Sequence, residues 1–252
     1  MGGTVLITGA SSGFGKACAE RFAEEGRPLV LAARRLDRLE QLKSKLAAKA
    51  PLHVLALDVR GRKAVEAAIS GLPKPFADID VLINNAGLAR GLEPSHKADL
   101  DDWETMVDTN IKGLIYCARA VLPQMVARNQ GHIVNIGSIA GDWPYPGGNV
   151  YGATKAFVKQ FSRNLRCDLA GTRVRVTNIE PGLAETEFSI VRFAGDAGKA
   201  AKVYENTEPL TAQDIADIIH WVVSVPGRVN INRVEVMATF QTWAPFAIHR
   251  EG

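Results

Sequence analysis

The chain has 252 residues, 46% of them hydrophobic and 23% charged, and 30 Lys and Arg stand against 27 Asp and Glu for a net charge of +3. That balance excludes a disordered chain, and charges dispersed along the sequence exclude a nucleic-acid-binding arm. No apolar run is long enough to span a membrane, no basic leader precedes Val5–Ile7, and Cys18, Cys117 and Cys167 have no disulfide or metal-ligand spacing. The expectation is therefore a cytoplasmic protein with reduced, buried thiols and no metal, whose partner is a small molecule rather than a nucleic acid or membrane.

The first predicted element is a strand at Thr4–Thr8. Residues 14–26 follow as an amphipathic helix, with Phe14, Ala17, Cys18, Phe22 and Ala23 on one stripe. Further strands are predicted at Pro28–Ala32, Leu52–Ala56, Asp80–Asn84, His132–Ile136 and Val174–Ile179, with a seventh at Arg233–Met237. A helix running from Trp103 to Met125 is one of the segments between them. Short apolar strands alternating with helices imply parallel pairing and right-handed crossovers. The fold class is thus α/β: a doubly wound, Rossmann-type parallel sheet of about seven strands with helices on both faces. One domain is expected to span residues 1–252. Residues 181–209 break the alternation, and we expect a substrate lid at about 183–209, with Thr186–Ala194 forming a short helix. A C-terminal tail is expected at about 238–252.

Thr8-Gly9-Ala10-Ser11-Ser12-Gly13-Phe14-Gly15 joins the first strand to the first helix, the context in which glycines make a dinucleotide-binding turn. Gly9 serves the tight turn, Gly13 the approach of a pyrophosphate and Gly15 close packing of the helix, whose N-terminus offers free N–H groups. After the second strand, where an NAD-selective site carries an acid, the sequence reads Ala33-Arg34-Arg35. Arg34 and Arg35 are assigned to the 2′-phosphate of NADP(H). Asp37, three residues before Glu40, fits the N-cap of the next helix in a capping box.

Tyr151 and Lys155 stand at i and i+4 of a helical segment, which places a proton donor and a cation on one face. A phenol titrates near ~10, and bringing it to about 7 needs roughly 4 kcal/mol of preferential stabilisation of its anion. Ser138, just past the strand His132–Ile136, lies at a strand's carboxyl end, where open parallel sheets bind ligands, and can steady a substrate oxygen. Asn84-Asn85-Ala86-Gly87 ends the fourth strand, where Asn85 is either a structural turn residue or a cofactor contact. Asn110, read from helix periodicity alone, is a surface amide.

In order along the chain, the turn Thr8–Gly15, Asp58, Asn84–Gly87, Asn110, Ser138, Tyr151, Lys155 and Pro181-Gly182 resemble the short-chain dehydrogenase/reductase family over the whole length. The resemblance implies an NADP-dependent oxidoreductase acting on CH–OH groups, with Asn110, Ser138, Tyr151 and Lys155 as its catalytic set. Tyr151 would be the acid/base, Lys155 would lower its pKa and hold the nicotinamide ribose, and Asn110 would hold a water linking Lys155 to solvent. The cofactor would be bordered by Gly9, Ser11, Ser12, Gly13, Phe14, Gly15, Arg34, Arg35, Asp58, Val59, Asn85, Tyr151, Lys155, Pro181, Gly182 and Thr186.

Gly141–Tyr145, Thr186–Phe193, Asn230–Asn232 and the tail ending Ile248-His249-Arg250 are similar to family members that use NADP(H) on short 3-hydroxy acids such as serine, 3-hydroxyisobutyrate and 3-hydroxypropionate. That likeness also implies a homotetramer. Phe14 and Trp243–Phe246 depart from the group. Substrate would meet Ser138 and Tyr151, and a substrate carboxylate would meet Arg192 first, with Arg90 second, because a guanidinium binds carboxylates bidentately. Two alternatives stand beside this reading: a reductase of bulkier carbonyls such as 3-oxoacyl thioesters or steroids, and a non-catalytic NADP-binding regulator. Trp221, Trp243 and Phe246 fit either a subunit interface or the chain's own core.

Overall fold

The computed structural model describes residues 3–243. Strand β1 (Thr4–Thr8) leads into helix α1 (Gly13–Ala23), followed by β2 (Leu29–Ala33), α2 (Leu36–Leu46), β3 (Leu52–Ala56), α3 (Arg62–Ser70) and β4 (Ile79–Asn84). A long helical rod follows, made of α4 (Leu100–Val107), a wider π-helical turn (Asp108–Gly113) and α5 (Leu114–Ala127). Then come β5 (Gly131–Ile136), α6 (Asn149–Asp168), β6 (Val174–Pro181), α7 (Phe188–Arg192), α8 (Ala197–Lys202), α9 (Ala212–Ser224) and β7 (Arg233–Val236). The strands form one sheet in the order β3-β2-β1-β4-β5-β6-β7, every pair parallel.

All seven expected strands form. The second begins at Leu29 rather than Pro28, which has no N–H to give to a neighbour, although its carbonyl accepts from Val5. β6 runs two residues further than expected because β7 pairs with Glu180 and Pro181 at its end.

Because side chains alternate across a strand, each central strand feeds two cores. Val5, Ile7, Leu29, Leu31, Val81 and Ile83 point to one face, where α1, α2 and α9 cover them. Leu6, Val30, Leu82 and Ile133 point to the other, against α3, α5 and α6. This two-sided burial explains strands that are apolar almost throughout. Phe22 on α1 is fully buried in the first core. Phe22→Ala is expected to cost about 3–5 kcal/mol of stability, measurable by urea unfolding with activity at low denaturant retained.

Three expectations change. Arg35, not Asp37, stands at the N-cap of α2, and Asp37 lies within the first turn without capping it. Only Arg34 and Arg35 separate β2 from α2, so the helix has already begun at Leu36 and Asp37 falls inside it. The predicted Trp103–Met125 helix starts earlier, at Leu100 behind the Asp99 cap, and is widened by the π turn. Of the thiols, Cys18 and Cys117 are buried and pushed up to about 12 by that burial, but Cys167 is exposed on the outer face of α6. No described helix is long and apolar enough to cross a membrane.

Candidate active site

The parallel sheet brings the carboxyl ends of β1, β2, β4, β5 and β6 to one edge, and a cleft of about 730 Å³ opens along it. Its size lies within the range of small-molecule sites. Gly9, Ser11, Ser12, Gly13 and Phe14 line one end, Arg34, Arg35, Asp58 and Val59 the flank, and Ser138, Tyr151, Lys155, Pro181, Gly182 and Thr186 the other end.

The β1–α1 turn is held by Thr8 and Asn85. Thr8 Oγ1 accepts from the N–H groups of Asn85 and Ala86, both at 3.0 Å, and Asn85 Nδ2 donates to the carbonyl of Thr8 at 2.9 Å. Asn85 also lines the cleft, so the turn role and a cofactor contact are compatible. Gly9 has φ +67°, which side-chain-bearing residues resist, and a Cβ on Gly15 would meet the Gly9 carbonyl oxygen at 2.5 Å. Gly15 therefore lets the helix start against the turn. The first turn of α1 carries no capping hydrogen bond and no acid, so its N–H groups and positive dipole end remain available to an anion.

Beside that turn, Arg35 donates to Ser11 Oγ at 3.0 Å, to Ser12 Oγ at 2.8 Å and to Glu187 at 3.0 Å. Arg38, from α2, donates to the same Glu187 at 2.6 Å. Arg34 is exposed on the cleft wall and makes no ion pair among the described residues. Hydrogen bonds from Arg60 hold the Asp58 carboxyl below its ordinary range. A phosphate would thus meet an uncommitted guanidinium at Arg34, a partly committed one at Arg35, and the Ser11 hydroxyl. This cationic rim, the open α1 terminus and the glycine turn fit a phosphorylated dinucleotide.

At the other end, Tyr151, Thr154, Lys155 and Val158 share the buried face of α6. Lys155 Nζ donates to the Ile136 carbonyl at 2.7 Å and lies 5.8 Å from the centre of the Tyr151 ring; burial lowers its pKa to about 8. Burial pushes Tyr151 up to about 12, opposed by a hydrogen bond with Ser138 and by the charge of Arg192, while Tyr145 adds to the rise. Arg192, 5.6 Å from the ring centre, is thus a second cation beside the phenol. Ser138 Oγ accepts from Ala140 N–H at 3.1 Å, which orients it at the end of β5.

Asn110 is buried, not a surface amide. The π turn redirects it inward, where Oδ1 accepts from Leu88 N–H at 2.9 Å and Nδ2 donates to the Leu88 carbonyl at 2.8 Å and to Thr154 at 3.1 Å. Single π turns often mark functional positions because they rotate one residue out of the helical repeat. A Cβ on Gly87 would meet Asn110 Oδ1 at 3.3 Å and Lys155 Nζ at 3.7 Å, so Asn110 and Lys155 border one small space.

The segment after β6 folds over the cleft. Leu210 N–H donates to the Leu183 carbonyl at 3.0 Å and Glu185 N–H to the Leu210 carbonyl at 2.9 Å, fastening its two ends together. Its short helix α7 brings Phe188 to 5.6 Å from Tyr151, ring centre to ring centre. Arg192 sits at the end of that helix, its guanidinium 5.5 Å from the Tyr145 ring and 5.6 Å from the Tyr151 ring, donating to Tyr145 Oη at 2.9 Å. Arg90 instead lies 4.0 Å from Asp102 and does not line the cleft. Trp243 packs against Trp143 at 5.7 Å by the cleft mouth, and Gln241 accepts from Leu183 N–H at 2.8 Å. Phe246 and Ile248–Arg250 lie outside the described residues.

Sequence reasoning did not find Glu187, Arg38 or the role of Tyr145. None has a spacing signal, because each works through contacts made only when the segment after β6 folds back.

Residues 3–196 match the short chain dehydrogenase family, and the chain belongs to it. Over 247 residues it is 59% identical to the NADP-dependent 3-hydroxy acid dehydrogenase YdfG of Salmonella typhi, covering 98% of this chain and 99% of the relative. It is also 52% identical to sulfoacetaldehyde reductase 2 of Chromohalobacter salexigens, over the full length of both. Among solved structures, the closed form of a serine dehydrogenase complexed with NADP+ superposes with a TM-score of 0.95 at 55% identity, covering 98% of this chain and all of that one.

Proposed function

We propose that this protein is an NADP-dependent dehydrogenase of short 3-hydroxy acids, of the serine, 3-hydroxyisobutyrate and 3-hydroxypropionate type, which also reduces the matching semialdehydes. One observation carries the substrate class: a guanidinium and a phenol hydroxyl, Arg192 and Tyr145, flank the buried Tyr151 at the closed end of the cleft. A carboxylate two carbons from the reacting carbinol would meet that pair. Cofactor choice follows from Arg34 and Arg35 at the end of β2, and the 59% identical NADP-dependent relative supports it. When bound, the nicotinamide supplies or accepts the hydride.

The chain's own residues handle the proton and the geometry. Tyr151 Oη gives its proton to the substrate oxygen in reduction and takes it back in oxidation, while Ser138 Oγ holds that oxygen. Burial keeps the phenol protonated, which suits reduction. Oxidation needs the anion, which Lys155, reoriented from the Ile136 carbonyl, and Arg192 together favour. Asn110 fixes Leu88 and Thr154 around Lys155, leaving room for a water that carries the proton outward. We read residues 183–209 as the lid of a single catalytic domain, folded over the cleft; the packing of Phe188 and Arg192 against Tyr151 supports this. We further read the enzyme as cytoplasmic and homotetrameric, supported by its family likeness and by the exposed Phe157 and Trp221.

The deciding experiment is a steady-state screen with NADP+ and NAD+ against 3-hydroxy acids, neutral secondary alcohols and steroids. Faster turnover of the neutral or bulky compounds would overturn the substrate reading, and absence of turnover with every compound would favour a regulator. A second reading, reduction of an aldehyde bearing a sulfonate, is favoured by the same Arg192–Tyr145 pair, which selects an anion rather than a carboxylate as such, and by the 52% identical sulfoacetaldehyde reductase. Arg192→Met is expected to raise the KM for hydroxy acids about 10- to 100-fold, the worth of a charge-assisted contact, while neutral alcohols change less than about threefold. Equal losses for both substrate types would remove Arg192 from anion binding.

A further inference from the structure

Helix α7 is five residues long, yet its two ends reach the two functional ends of the cleft. At its start, Glu187 accepts from Arg35 at 3.0 Å and from Arg38 at 2.6 Å; at its end, Arg192 lies 5.6 Å from the Tyr151 ring. Arg35 is at the same time held by Ser11 and Ser12 of the dinucleotide turn. The lid is therefore bonded to the cation assigned to the cofactor's 2′-phosphate, and the same rigid turn of helix sets where the substrate-facing cation sits.

Charge counting shows why the carboxylate need not compete with a phosphate. Arg34, Arg35 and Arg38 present three positive charges and Glu187 one negative, leaving two, and a phosphate monoester carries about −1.5 to −2 at neutral pH. Asp58 does not alter this balance, because Arg60 occupies it. Burial pushes the Glu187 carboxyl up, but hydrogen bonds from Arg35 and Arg38 outweigh it and keep it ionised.

We propose that Glu187, gripped by Arg35 and Arg38, is a clamp that ties lid helix α7 to the arginines reading the 2′-phosphate, so that cofactor recognition and the placement of Arg192 over Tyr151 are set together. The proposal rests on the NADP(H) reading above. Glu187 and Arg38 are positioning residues in it. A phosphate that fixes the Arg35 guanidinium also fixes the lid, whereas a cofactor lacking that phosphate leaves Arg35 held only by the two serines and Glu187, with no anion on its cofactor side. NADP(H) would then prepare the substrate end of the cleft better than NAD(H), a selectivity expressed in substrate binding as well as in cofactor binding.

The test uses the full-length enzyme and the variants Glu187→Gln, Arg38→Gln and the double variant. All three positions of the triad are about 40% exposed, so folding is not at stake. Stopped-flow fluorescence gives the NADPH and NADH dissociation rates, and steady-state assays give the KM for 3-hydroxypropionate with each cofactor. Glu187→Gln is expected to raise the NADPH dissociation rate and the NADP+-dependent KM about fivefold each, with less than twofold change in the NADH rate and in kcat. Adding Arg38→Gln is expected to change little more, since Glu187→Gln already removes the carboxylate that Arg38 grips. Tighter NADPH binding with an unchanged KM would overturn the clamp and make Glu187 a mere competitor of the phosphate. Equal effects with both cofactors, or fully additive effects of the two substitutions, would also overturn it. A wild-type enzyme without preference for NADPH over NADH would overturn the cofactor reading itself, and the clamp with it; that measurement is independent of the variants.

Discussion

Tyr151→Phe is expected to lower kcat by about 10³-fold or more in both directions while leaving NADPH dissociation within about twofold of wild type, the pattern of a lost proton-transfer group. The substitution removes one oxygen from a ring already packed against Phe188 and beneath Arg192, so the pocket keeps its shape. The size of the effect follows from the environment. With burial pushing the phenol up to about 12, few alternatives exist for moving a proton at this point: the Ser138 hydroxyl is a far weaker acid, and Lys155 is turned to the Ile136 carbonyl. The check is a pair of measurements on one preparation, turnover by absorbance and NADPH binding by fluorescence. Turnover near the wild-type rate would mean that another group carries the proton, and the assignment of this end of the cleft would fall.

The second large effect concerns the cofactor. Arg34→Ala is expected to raise the KM for NADPH about 10- to 100-fold, and Arg34→Ala with Arg35→Ala by about 10²- to 10⁴-fold, from the loss of one and then two charge-assisted contacts. The KM for NADH is expected to move less than about threefold in the single variant. Arg34 makes the cleaner probe because it has no ion pair among the described residues, whereas Arg35 also holds Ser11, Ser12 and Glu187. Parallel titrations with both nucleotides decide the matter. A uniform loss with NADPH and NADH would show that the arginines shape the turn rather than read the 2′-phosphate.

What the sequence made legible was whatever depends on local spacing. Strands buried on both faces declare themselves as apolar runs, and Leu6 and Ile7 go to opposite cores without breaking that pattern. The glycine turn, Arg34-Arg35, and the Tyr151–Lys155 pair are each close in sequence, so spacing alone assigns them to their elements. Asn110 shows where this stops. Helical periodicity assigns it to the surface, but a π turn rotates it inward onto Leu88, a tertiary contact no propensity encodes. Asp37 failed as a cap because the helix already begins at Leu36, which puts Asp37 inside the first turn and leaves the cap position to Arg35. Glu187 and Tyr145 were out of reach, being joined to Arg35 and Arg192 across 152 and 47 residues.

The all-parallel sheet has a practical corollary on the side away from the cleft. The turns entering the strands sit on the far rim, and there Gly171, with φ +86°, has no neighbour within 4 Å of where a side chain would begin. Short polar insertions at such exposed corners are generally tolerated. A peptide handle spliced beside Gly171 would anchor the enzyme to a bead or electrode with its mouth facing the medium, leaving hydroxy acid and coenzyme free to enter from solution.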